Sequence, residues 1–96
     1  MTPSDLRKVL SDYFSTQPVL KAYLFGSYAK LSQTQASDID ILIELDPEVP
    51  IGMEYVQMYL DLKRLTGKEV DLVTEKSLSP YIRKDIEKEM KLVYER

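Results

Sequence analysis

The sequence predicts a small α/β (α+β) domain: one mixed β-sheet with helices packed mainly on one face. Apolar residues recur at helical spacing around Leu6–Phe14, Gly52–Thr66 and Ile82–Met90. Between them lie short apolar runs rich in β-branched or aromatic residues, VLKAYLF at 19–25, DIDILIEL at 38–45 and KEVDLVT at 68–74. The chain of 96 residues has room for one modest core and contains no linker long enough to separate domains. Residues 1–96 therefore read as a single domain.

Taken in order, Thr2-Pro3-Ser4-Asp5 is a helix start, with capping hydroxyls, an early proline and an early acid. Leu6, Val9, Leu10, Tyr13 and Phe14 form the stripe of that helix, and Pro18 closes the segment. Val19–Phe25 reads as a buried strand stopped by Gly26. One helical turn is expected over Ser27–Leu31, then a polar loop, SQTQAS. Asp38–Leu45 alternates in type and is the clearest strand; Asp46-Pro47 ends it. A helix is expected over Gly52–Thr66, with Gly67 at its C-terminal end, and a strand over Lys68–Thr74. Ser77-Leu78-Ser79-Pro80 begins a last helix, whose stripe is Ile82, Ile86 and Met90. Lys91–Tyr94 fits either a final edge strand or a frayed end.

Composition removes several kinds of chemistry. There is no Cys and no His, which excludes thiol catalysis, disulfides, a Ser-His-Asp triad and the common zinc sites. Acid–base or metal chemistry must use carboxylates, Lys, Tyr or water. A net charge of −3 opposes direct nucleic-acid binding as the main role. No apolar run reaches membrane-span length and no basic-then-apolar leader opens the chain, so no membrane association and a cytoplasmic location are expected.

The strand period of two puts Asp38 and Asp40 on one side and Ile39, Ile41 and Ile43 on the other. Asp71 sits in KEVDLV with Val70 and Leu72 facing the opposite way. If the two strands pair, the three acids share a side. Each ionised pair at about 5 Å then costs roughly 3 kcal/mol at an effective dielectric near 20. Protonation, solvation or a bridging cation relieves that cost. A hard cation such as Mg²⁺ takes carboxylate oxygens together with nucleotide phosphates. Gly26-Ser27, ten residues before Asp38, can approach and hydrogen-bond a phosphate. Simpler roles exist for each: Ser37-Asp38 as a turn cap, Asp71 as an exposed strand residue, Gly26 as a strand stop, Ser27 as a helix cap and Lys30 as a solvated charge.

FGSYAKLSQTQASDIDILIEL resembles the signature of the DNA polymerase beta-like nucleotidyltransferase superfamily. More narrowly it resembles the minimal nucleotidyltransferase (MNT) family, whose pattern is Gly-Ser, about ten residues, then Asp-x-Asp. KEVDLVT resembles the strand carrying that family's third acid, and SLSPYIRKDIEKEMKLVYE its tail. Many relatives have Ala-Arg-Gly where this chain has Ala29-Lys30-Leu31. Lys30 keeps the charge without the planar fork of Arg, and Leu31 lacks the backbone freedom of Gly.

The resemblance implies the nucleotidyltransferase fold and transfer of AMP from ATP with release of pyrophosphate. It implies Asp38, Asp40 and Asp71 as catalytic Mg²⁺ ligands, and Gly26, Ser27 and Lys30 as nucleotide-binding residues. It also implies an antitoxin partnered with a HEPN-domain RNase toxin, neutralised by binding and by adenylylation of a toxin tyrosine. A silent antitoxin that masks its partner, or a free-standing small-molecule transferase, are the rivals. The helix over Gly52–Thr66 has an apolar arc of about 240° at 100° per residue, wider than one core contact needs. Either it is buried on both flanks, or Tyr55, Met58 and Leu62 meet another chain, a toxin or a second copy in a homo-oligomer.

Overall fold

The computed structural model describes residues 2–34, 36–50 and 52–96, with the Pro3 side chain left aside. The SQTQAS loop therefore lacks Gln35 from the described residues. The order is α1 (Pro3–Phe14), β1 (Val19–Phe25), β2 (Ile39–Leu45), α2 (Met53–Thr66), β3 (Val70–Thr74), α3 (Pro80–Glu87) and β4 (Lys91–Glu95). The sheet runs β3-β2-β1-β4. β2 and β3 are parallel, and β1 is antiparallel to both β2 and β4.

Local chemistry sets these boundaries. Thr2 and Asp5 form a capping box at the start of α1, each side chain bonding the other's backbone N–H. Gly67 ends α2 in the left-handed region, at φ 67°. Ser79 caps α3 through Ile82 N–H, with Pro80 in the first turn. The expected turn after β1 is a 3₁₀ turn over Gly26–Tyr28. β3 starts at Val70, two residues later than expected, and the tail residues form a true edge strand against β1.

Leu6, Leu10 and Phe14 of α1 and Met58 and Leu62 of α2 cover one face of the sheet. They meet Ala22, Leu24, Ile39, Ile41, Ile43, Val70 and Leu72. Each of the three Ile side chains, at most 1% exposed, contributes about 1.5–3 kcal/mol relative to solvent. That burial fixes the facing of β2, because a one-residue slip would invert it. The segment from Glu75 to Met90 carries the chain from the β3 edge to the β4 edge. Leu42, on the carboxylate side by alternation, and Ile86 of α3 are both buried yet lie outside the main core. This places α3 across the second face. Ile82, expected in the α3 stripe, is 54% exposed, because this short helix buries only Ile86.

The wide arc of α2 resolves into two sides. Met58 and Leu62 are fully buried in the core, and Tyr55 packs against it, so those residues are not the docking surface considered from sequence. The helix is the crossover between two parallel strands and must bury its inner face on them. Its exposed apolar residues are instead Met53, Val56, Leu60 and Leu65.

Candidate active site

Three strand ends meet at one end of the sheet. β1 ends there with Phe25, followed by Gly26 and Ser27. β2 and β3 begin there. Phe25 and Asp40 are cross-strand partners, and Asp40 and Asp71 are register partners on the parallel pair. Adjacent strands lie about 4.8 Å apart, so the two carboxylates rise side by side. Asp38 lies just before β2 and is exposed; Asp71 is also exposed, and Asp40 is half-buried.

Burial raises the Asp40 carboxyl above the ordinary carboxylate range, and the charges of Asp71 and then Asp38 raise it further. Gly26 stands directly against this group. Its φ is 67°, and a Cβ there would overlap the Asp40 carboxylate, lying 3.2 Å from its Cγ. Only glycine lets the β1 turn come this close. Among the described residues the Ser27 hydroxyl takes no hydrogen-bond partner, while the Ser27 carbonyl accepts from Ser32 N–H at 2.9 Å.

The donor set fits a hard cation by chemistry. It consists of carboxylate oxygens, coupled in charge and placed at the solvent-facing end of two strands. As placed, no three acidic side chains among the described residues converge closely enough to hold an ion.

Lys30 is exposed and forms a 3.0 Å ion pair with Glu89, which ties the turn after β1 to the end of α3. Leu31 adopts φ 57°, the conformation that glycine occupies without penalty, with its side chain 72% exposed. Ser37 is a turn residue, its hydroxyl accepting from Thr34 N–H at 2.8 Å. A cleft of about 380 Å³, lined by Leu20, Glu44, Asp46, Pro47 and Thr74 among others, opens at the opposite end of these strands and contains none of the predicted site residues.

The sequence reading considered Tyr55 for a docking surface and did not place it near the site. The Tyr55 hydroxyl donates to the Leu72 carbonyl, next to Asp71. A tyrosine packed against the core beside Met58 and Leu62 was the available signal, since a buried hydroxyl needs a partner.

The nucleotidyltransferase domain family matches residues 4–93. A Methanocaldococcus jannaschii protein named as a candidate protein adenylyltransferase is 40% identical over 86 residues, covering 88% of this chain and 83% of that protein. The protein adenylyltransferase MntA of Thermococcus cleftensis is 34% identical over 67 residues, covering 70% and 67%. Among solved structures, a candidate minimal nucleotidyltransferase superposes with a TM-score of 0.79 at 26% identity, covering 95% of each chain. A chain from a toxin–antitoxin crystal with AMP-PNP superposes with a TM-score of 0.74 at 23% identity, over 100% of this chain and 75% of that one. With its Gly-Ser turn and strand-end acids within a match spanning nearly all its length, this chain belongs to the nucleotidyltransferase domain family.

Proposed function

We propose that this chain is a protein adenylyltransferase that acts as the antitoxin of a HEPN RNase toxin, moving AMP from ATP to a tyrosine hydroxyl of that toxin. The observation that carries the reading is the register of Asp40 on Asp71, with Asp38 alongside and Gly26 pressed against Asp40. The relatives named protein adenylyltransferases, and the fold shared with toxin–antitoxin crystals, support it.

Asp38, Asp40 and Asp71 would hold Mg²⁺ once their side chains turn toward one another, since as placed no three acids among the described residues converge. When bound, the metal supplies charge stabilisation for the phosphoryl oxygens and the leaving pyrophosphate. Gly26 clears the space for the triphosphate beside Asp40, and the Ser27 hydroxyl donates to a phosphate oxygen. Asp71, exposed at the start of β3, accepts the proton of the acceptor hydroxyl. The acceptor oxygen then bonds to the α-phosphorus as the bond to pyrophosphate breaks. With no His in the chain, a carboxylate is the natural base. Lys30 reaches a phosphate only by leaving Glu89.

The test is incubation with ATP labelled at the α-phosphate, Mg²⁺ and the cognate HEPN protein. Label on a toxin tyrosine, lost in Asp38→Asn/Asp40→Asn, supports the proposal. Full neutralisation without label, or full neutralisation by the double variant, would establish steric masking instead.

A further inference from the structure

Asp71 lies on β3, the edge strand of the sheet, where a side chain is held on only one flank by a neighbouring strand. The backbone alternation shows which flank. Ile39 N–H bonds the Glu69 carbonyl at 2.9 Å, so the backbone groups of Glu69, Asp71 and Val73 face β2. Those of Val70, Leu72 and Thr74 then face the free edge. The carbonyl after Asp71, that of Leu72, is therefore one the sheet leaves open.

Tyr55 closes it. Its ring packs against the core from α2, and its hydroxyl donates to the Leu72 carbonyl. The same hydroxyl lies close enough to Asp71 to feel its charge, which, after burial, raises the Tyr55 phenol above its ordinary value. The Asp71 backbone is thus paired with β2 on one side, and the next peptide is pinned by α2 on the other.

We propose that Tyr55 is a positioning residue for Asp71: its hydroxyl pins the open edge of β3 and so sets where the Asp71 carboxylate stands relative to Asp40. This rests on the assignment of Asp71 to the site made above. Nothing about Tyr55 touches the reacting atoms. Its role is to deny β3 the slack of a free edge, since a shift of about 1 Å at a reacting group can cost on the order of 100-fold in rate.

The experiment is a double-mutant cycle with Tyr55→Phe and Asp71→Asn on the full chain. Mn²⁺ binding in the presence of ATP is followed by electron paramagnetic resonance, and AMP transfer is measured alongside. Tyr55→Phe keeps the ring and removes only the hydroxyl. It is expected to weaken Mn²⁺ binding several-fold and to lower kcat about tenfold with little change in the KM for ATP. In the Asp71→Asn background it is expected to change neither. Additive losses in the two backgrounds, or a lowered melting temperature with unchanged Mn²⁺ binding and kcat, would reduce Tyr55 to a packing residue and overturn the proposal. If Asp71→Asn itself changes neither reading, it is the assignment of Asp71 to the site that fails.

Discussion

Replacing Gly26 with Ala tests the closest approach in the site. Two costs are separable. The first is backbone: at φ 67° an L-residue loses about 1–2 kcal/mol relative to its preferred regions. The second is contact: the new methyl would overlap the Asp40 carboxylate and crowd its Cγ at 3.2 Å, while the Asp40 Cβ stays at ordinary contact distance. A side-chain end can swing away, so the contact is relieved mainly by moving Asp40. Gly67 supplies the control. It has the same φ of 67°, and nothing lies within 4 Å of a Cβ built there. Gly67→Ala therefore reads the backbone cost alone. For a domain of this size each kcal/mol shifts the melting temperature by about 4–8 °C. Gly67→Ala should lower it by roughly 4–16 °C and leave AMP transfer intact. Gly26→Ala should lower it at least as far and cut transfer by about 100-fold, because Asp40 is displaced. Thermal melts and labelled-ATP transfer measure both. If Gly26→Ala retains full transfer, Asp40 does not need its present position and the reasoning fails.

Other outcomes follow from the same geometry. Leu31→Gly removes a left-handed leucine whose side chain is 72% exposed. After the entropy that glycine adds to the unfolded chain, a net gain of about 0.5–1 kcal/mol is expected in urea titration. A loss would mean that Leu31 is not strained. Asp40→Asn tests the raised carboxyl. An acid whose pKa is higher in the folded than in the unfolded state destabilises once it ionises. The penalty grows from the ordinary Asp value of about 3.9 up to the raised folded value and is complete above it. In the metal-free protein, Asp40→Asn should therefore melt higher than the native chain at pH 7, with the gain shrinking as pH falls through the raised folded value and gone below about 4. A gain that is independent of pH would point to packing rather than charge.

Much of the architecture was legible because it follows from local rules. The alternation in DIDILIEL settles which face of β2 packs on the main core, since three Ile side chains favour it and their neighbours, Leu42 apart, are acids. The helix starts at Thr2 and Ser79 and the stop at Gly67 are capping chemistry, readable within a few residues. The Gly26-Ser27 turn and the Asp-x-Asp pair could be set beside each other by spacing and by their resemblance to a known signature.

What only the tertiary structure decided concerns residues far apart in the chain. The parallel register that sets Asp71 beside Asp40 depends on α2 returning the chain to the same end of the sheet. No property of KEVDLV alone specifies that register. The overlap that a Gly26 Cβ would make with Asp40, the pairing of Lys30 with Glu89, and the Tyr55 bond to the Leu72 carbonyl are likewise facts of three-dimensional packing. The same holds for α2, where periodicity showed an excess of apolar surface but could not assign sides. Met58 and Leu62 went to the core and Met53, Val56 and Leu60 to the surface because the strands, not the helix, choose the buried face. Sequence by itself determined the elements and the facing of the acids, because those depend on near neighbours along the chain. Which acids meet, and what holds them, awaited the fold, because burial and strand order are properties of the assembled sheet.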